Sequence, residues 1–303
     1  MPLIDAHVHL YPPEVNRDPV AWALAHREKH WAALCTRRRE NGAMGSGAGG
    51  SPVQFFPSVD GLLGDMDAAG IDRSVLLGWY WEQPENCVAQ NRFYAECVRA
   101  HPDRLAAFAT VHPSAGVAAL EEVRRARGEG LIGLGELSPH SQRISLADPA
   151  WRSILALAGE LNLPVNLHVT DPHSTAYPGR IDTPLADFLR LAREFPATTF
   201  ILAHWGGGMA FDPGNRPLPN VYYDTAASPL MYGPDVWRRA VAAVGADRIL
   251  FGSDNPLRLY PKTEPGTGLA AFVRETELAL NAPERNLVLA GSALKLLKVG
   301  WRG

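Results

Sequence analysis

The sequence predicts a single-domain (β/α)8 barrel, and three observations predict it. Eight short apolar or β-branched runs recur along the chain, amphipathic segments lie between them, and polar residues collect where the runs end. The runs are LIDAHVH near residue 5, RSVLLGW near 76, LAAFATVH near 108 and LIGLGELS near 134, followed by PVNLHV near 167, TFILAHW near 202, VYYDTAA near 223 and ILFGSD near 251. Strands alternating with helices imply a parallel sheet, and eight of them suggest closure into a barrel. The helical segments are GLLGDMDAAG, NRFYAECVRAHP, VAALEEVRRARGEG, WRSILALAGELN, TPLADFLRLAREFP and PDVWRRAVAAVG. In each, apolar residues recur three or four apart and a Gly, Asn or Pro ends the pattern. An open doubly wound sheet is the rival architecture, but no Gly-x-Gly-x-x-Gly follows an early run.

The first strand is not followed directly by a helix. Residues 11–57 read as a long insertion within a barrel that spans residues 1–303. It carries HREKHW, the run Arg37-Arg38-Arg39 and a glycine-rich stretch from Gly42 to Ser51. With so little side chain to bury, that stretch is expected to be either a lid over the barrel mouth or a disordered connector. The basic run is brief and meets Glu40, so a solvated helix face is the expectation.

Composition excludes several classes. In 303 residues, 46% are apolar and 20% charged, the balance of an ordinary globular protein with a large core, and the net charge of −3 offers no polyanion-binding surface. No window approaches the roughly 18 apolar residues of a membrane span, and the amino terminus enters a strand at once, so a cytoplasmic protein is expected. Cys35, Cys87 and Cys97 are odd in number and lack Cys-x-x-Cys spacing, which points to free thiols. The expected partners are a small-molecule substrate and at most further copies of the chain, with neither nucleic acid nor membrane.

The chemistry lies at the strand ends. Alternation along the first strand places Asp5, His7 and His9 on one face and Ile4, Val8 and Leu10 on the other. Two imidazoles two residues apart can grip one ion; His168 and Asp254, arriving from other strands, complete a nitrogen and oxygen ligand set of the kind Zn2+ accepts. Asp5 sits one step deeper and reads as a structural hydrogen-bonding residue. The same alternation pairs Asn166 with His168, Leu202 with His204 and Gly252 with Asp254. Glu136 ends the fourth run and His204 the sixth; His112 and His140 are left unassigned.

Taken in order, DAHVHL, LHV, ILAHWGG, VYYDTAA and FGSDNP resemble the amidohydrolase superfamily, nearest to its amidohydrolase-2 branch of TIM-barrel enzymes. That branch includes lactone and amide hydrolases and nonoxidative decarboxylases similar to aminocarboxymuconate semialdehyde decarboxylase. The resemblance spans nearly the whole chain. It implies one divalent ion held by His7, His9, His168 and Asp254, with His204 beside the ion. Zn2+ is the expected metal, and Mn2+ or another divalent ion the alternative. Some superfamily members carry a bridging carboxylate on strand four and bind two ions, which would recruit Glu136 and His204. The single-ion habit of the branch makes Glu136 a substrate or supporting residue instead.

The expected activity is hydrolysis of a C–N or C–O bond in a small, cyclic, carboxylated molecule, an amide, lactam, lactone or ester. A metal lowers the pKa of its water toward about 7, while Asp254 shuttles the proton and His204 helps hold the oxyanion. The alternative is a decarboxylase built on the same site, and the third reading is a noncatalytic barrel stabilised by metal. Trp79, Trp81, Trp205, Arg258 and Tyr260 follow strand ends and are candidate substrate contacts, Arg258 as a two-pronged carboxylate anchor.

Overall fold

The structure is a computed structural model, and it describes residues 2–35, 37–38, 44–45, 54–212, 214 and 218–297. Eight parallel strands form one sheet in chain order. They are β1 (Ile4–Val8), β2 (Arg73–Leu76), β3 (Leu105–Ala109), β4 (Gly133–Leu137), β5 (Val165–Leu167), β6 (Phe200–Leu202), β7 (Val221–Asp224) and β8 (Ile249–Leu250). Closure comes from hydrogen bonds just beyond β8. Ala6 N donates to the Phe251 carbonyl at 2.8 Å, His9 N to that of Asn255 at 2.7 Å, and Asp254 N to that of His7 at 2.9 Å. All eight expected strands are present and the sheet is a barrel.

Two apolar layers explain the order. Residues facing outward from the strands, among them Leu76, Leu134, Leu167, Leu202 and Phe251, pack on helix residues such as Leu62, Tyr94, Trp151, Phe188 and Trp237. The lumen holds Ile4, Ala6, Val75, Leu77, Phe108, Ile201 and Leu250 and is stopped at one end by Ala290, Ala293 and Leu297. Burying a large apolar side chain contributes roughly 1.5–3 kcal/mol, so these layers dominate stability. The six expected helices are Val59–Ala69, Pro84–Ala100, Val117–Gly128, Pro149–Glu160, Leu185–Glu194 and Asp235–Val244. Ser58 caps the first by accepting from Gly61 N, and Asp148 caps the fourth by accepting from Ala150 N and Trp151 N.

Strict alternation fails in two places. Pairing of β1 with β2 slips between Asp5 and Val8, an irregularity that lets Ile4 and Ala6 line the lumen while Val8 and Leu10 face the helices. Ile4 therefore does not share the outward face of Val8. After β6, His204, Trp205 and Gly206 take left-handed φ of 56°, 57° and 59°. That turn separates His204 from Leu202, which faces the helices.

The insertion contributes helices Pro13–Arg17, Pro19–Ala25 and Lys29–Cys35. Arg37 and Arg38 lie in a two-stranded antiparallel ribbon with Met44 and Gly45, not on a helix, because backbone pairing fixes them there. Apart from Met44 and Gly45, the stretch from Gly42 to Ser51 lies outside the described residues, as does Arg39. Cys35, Cys87 and Cys97 are free and buried. Among the described residues no helix is long and apolar enough to cross a membrane.

Candidate metal centre

At the carboxyl ends of the strands, two groups of side chains among the described residues could hold a metal ion: His7, His9 and Asp254, and Glu136, His168 and His204. Within each group one donor atom per residue lies within 4.8 Å of the others. In the first group the Nε2 atoms of His7 and His9 stand 3.2 Å apart, with Asp254 Oδ1 3.7 Å from His7 and 3.4 Å from His9. Glu136 leans toward both groups, with Oε2 3.6 Å from His9 Nε2 and Oε1 2.9 Å from His168 Nδ1 and 3.6 Å from His204 Nε2.

The supports behind these atoms decide which way they face. His7 Nδ1 meets Asp224 Oδ2 at 2.9 Å, and His9 Nδ1 meets the Leu77 carbonyl at 3.0 Å. Carboxylates and carbonyls only accept, so each imidazole carries its hydrogen on Nδ1 and turns Nε2 to the centre. His204 is fixed likewise, Nδ1 donating to the Ala226 carbonyl at 3.1 Å. For His168 the hydroxyl of Thr170 gives its hydrogen to the Ile181 carbonyl at 2.6 Å, so His168 Nε2 donates to that hydroxyl at 3.2 Å and Nδ1 is left toward Glu136.

Both groups are therefore convergent acceptors with nothing between them to share. Positive charge must enter. Protons can supply it: although burial pushes the His7 imidazole down, Asp224, Asp254 and Glu136 lift it to about 10. His204, likewise opposed by burial, is lifted to about 9 by Glu136 and Asp254. Glu136 is held well below the usual carboxylate range by His168, His204 and His7, against its burial. A divalent cation satisfies the same demand and displaces those protons. Nitrogen and carboxylate oxygen donors suit Zn2+, Mn2+ and other first-row ions alike, so the residues fit a divalent metal without selecting one.

Two glycines allow the strands to come this close. A Cβ on Gly252 would sit 2.7 Å from His7 Cβ, and one on Gly135, whose φ is 143°, would sit 2.7 Å from Asn166 Cβ. Asp5 has the structural role expected of it: it accepts from Ser253 N at 2.9 Å and from the Ser253 hydroxyl, clasping β1 to the segment after β8. His112 caps a short turn by accepting from Ser114 N, and His140 pairs with Asp187.

The rim candidates divide. Trp79 is half-buried, its ring 5.6 Å from that of His9. Trp81 is buried among Tyr11, Trp22 and Trp31 and donates to Gln90. Trp205 is buried against Trp237 and donates to Ser228. Arg258 spends its guanidinium on the carbonyls of Pro261 and Glu264, and Tyr260 donates to Glu275. These four serve packing and loop closure. Tyr80, which alternation sends opposite to Trp79 and Trp81, has its ring 5.2 Å from that of His168. Asp224 ends β7 behind the two groups, and nothing in the run VYYDTAA marks it apart from its place at a strand end.

Barrel, donor set and backing together form a candidate metal site at the mouth of an enzyme-like barrel. The match of residues 4–299 to the family model described as Amidohydrolase shows that the chain belongs to this family. No curated protein sequence matches it. Among solved structures, the chain is similar to 2,6-dihydroxybenzoate decarboxylase from Rhizobium, with 20% identity, a TM-score of 0.67, and 98% of this chain and 99% of that one covered. It is also similar to an IDCase from Metarhizium anisopliae, with 18% identity, a TM-score of 0.73, and 98% and 97% covered. A third is 5-carboxyvanillate decarboxylase from Novosphingobium aromaticivorans, complexed with manganese, with 16% identity, a TM-score of 0.72, and 98% and 96% covered. At these identities the likeness shows the fold.

Proposed function

We propose that the chain is a divalent-metal-dependent nonoxidative decarboxylase, a C–C lyase acting on a small, planar carboxylic acid. The observation that carries this reading is the whole-chain likeness to three decarboxylases, combined with a convergent donor set in the barrel mouth. This reverses the order expected from the sequence, where hydrolysis led, because the strand-end residues serve either reaction. His7, His9 and Asp254 would hold the ion, with Glu136 reaching toward them. A bound divalent ion supplies a Lewis acid that fixes and polarises a substrate oxygen.

The chain's own residues then have definite tasks. Loss of carbon dioxide leaves an electron pair on the substrate carbon, and a proton must be delivered there. Asp254 would carry it, a role supported by its position: Oδ1 faces His7 and His9, while Oδ2 lies 3.7 Å from His204 Nδ1. Covalent catalysis by thiol is disfavoured, since burial pushes Cys35 up to about 12 and Cys87 higher still. Trp79 and Tyr80, stacked with centroids 4.1 Å apart, offer a flat apolar wall beside His9 and His168.

One observation favours the hydrolase as a second reading. Glu136 joins two complete donor groups, a layout that can accept two ions and serve water activation. Incubation of hydroxylated aromatic acids, and separately of lactones and amides, in isotopically labelled water distinguishes the two. Decarboxylation releases carbon dioxide and installs one solvent hydrogen on carbon; hydrolysis puts solvent oxygen into the acid product. Turnover only of the lactones or amides, with solvent oxygen in the product, would sink the decarboxylase reading.

A further inference from the structure

We infer that Asp224, at the end of β7, is a positioning residue that ties the two donor groups together and sets the metal affinity of His7. Its side chain is fully buried and receives four hydrogen bonds. Oδ2 accepts from His7 Nδ1 at 2.9 Å and from Asn166 Nδ2 at 2.8 Å. Oδ1 accepts from His204 N at 3.0 Å and Ala226 N at 3.1 Å. One oxygen thus holds the ring of the first group, and the other holds the backbone turn that carries His204 of the second.

All four partners are donors. Only a group that accepts at both oxygens satisfies them, and among side chains that is an ionised carboxylate. An isosteric amide cannot: its NH2 must face either His7 and Asn166 or His204 and Ala226. In the first orientation the His7 hydrogen is driven toward Nε2, the atom that faces His9. In the second, two backbone N–H groups that hold the left-handed turn at His204 lose their acceptor, and an unsatisfied buried donor costs about 1–3 kcal/mol. Carboxylate support behind a ligating imidazole is typically worth ~10–100-fold in metal affinity.

Asp224→Asn therefore tests the assignment better than a deletion does. The amide keeps the shape of the side chain and at most two of its four hydrogen bonds, so it cannot hold the His7 ring and the His204 turn together. The experiment is competition for Mn2+ and Zn2+ against a chromophoric chelator in the full chain. It compares wild type, Asp224→Asn, Asp224→Ala and Asn166→Ala, each checked for native circular dichroism before metal is added. The expected result is a loss of ~10–100-fold in affinity in both Asp224 variants, Asn no better than Ala, with Asn166→Ala within about threefold of wild type. In 15N-histidine spectra of the Zn2+-loaded wild type, His7 is expected to carry hydrogen on Nδ1 and none on Nε2. Asp224→Asn affinity within threefold of wild type overturns the proposal. So does an equal loss in Asn166→Ala, or a hydrogen on His7 Nε2. If Asp224→Asn fails the circular dichroism check, the spectrum of the loaded wild type decides alone.

Discussion

His7 and His9 are each backed by an acceptor on a neighbouring part of the barrel, Asp224 and the Leu77 carbonyl, whereas His168 leans on the Thr170 hydroxyl two residues along its own loop. Among the imidazoles burial follows the same division, while the carboxylates run the other way, Asp254 being 9% and Glu136 2% exposed. The His7 and His9 side chains are 0% and 4% exposed, and those of His168 and His204 are 13% and 11% exposed. The first group is anchored in the sheet closure between β8 and β1, and the second opens toward Tyr80 and the mouth. Each group has one member seated within a strand, His7 in β1 and Glu136 in β4, and two just past strand ends, so what separates the groups is how deeply their imidazoles are buried. The inner group is suited to retaining an ion and the outer one to meeting what arrives.

The largest expected effect breaks this comparison at Asp254. Replacing it by Asn leaves an oxygen toward His7 and His9 but removes the proton carrier, so turnover should fall by ~10²–10⁴ while the ion is kept. Steady-state rates with metal analysis on the same sample check this. Unchanged turnover removes Asp254 from the chemistry.

Glu136→Gln sharpens the comparison with a smaller expected effect. The inner group should still take up one ion per chain, and any weaker second uptake in a metal titration should disappear, because the carboxylate that joins the groups has gone. Loss of the first ion as well would show that the two groups act as one.

The smallest effect concerns the insertion, whose described helices pack against the loop after β2. Glu28 is buried and accepts from Glu82 N, Gln83 N and Asn86 Nδ2, tying the insertion to the loop that carries Trp79 and Tyr80. Burial lifts its carboxyl to about 7. The folded state then binds this proton more tightly than the unfolded chain does, so stability rises as pH falls from about 7 toward the ordinary carboxylate range, and is lost as pH rises through it. Hydrogen exchange of the Lys29–Cys35 amides, corrected for intrinsic rates, should slow by roughly tenfold between pH 7.5 and 5.5. Glu28→Gln should abolish that dependence; a variant that keeps it places the titration elsewhere.

Much of this was legible in the chain because strand periodicity and strand ends are local signals. The eight runs and the six helices lie where period and position put them, and His7, His9, His168, Glu136 and Asp254 stand at or near strand ends as the pattern suggests, whereas His204 is turned out of its alternation. What escaped was set by contacts distant in sequence. Asp224 matters because His7 lies 217 residues away. Arg258 offers a free guanidinium on paper, but closure of its own loop uses it. The left-handed turn at His204 rests on Asp224 and on glycines that no alternation rule describes. Trp81 and Trp205 read as rim aromatics only until the insertion and the Asp235–Val244 helix supply cores for their rings.

The central claim is that His7, His9 and Asp254 form the seat of a divalent ion. Elemental analysis of the dialysed full chain, wild type beside His7→Ala, tests it most directly. At least one divalent ion per wild-type chain, and its loss in a folded His7→Ala variant, is the predicted result. A wild-type chain that takes up neither Mn2+ nor Zn2+, or a His7→Ala variant that holds its ion as firmly as wild type, would contradict it.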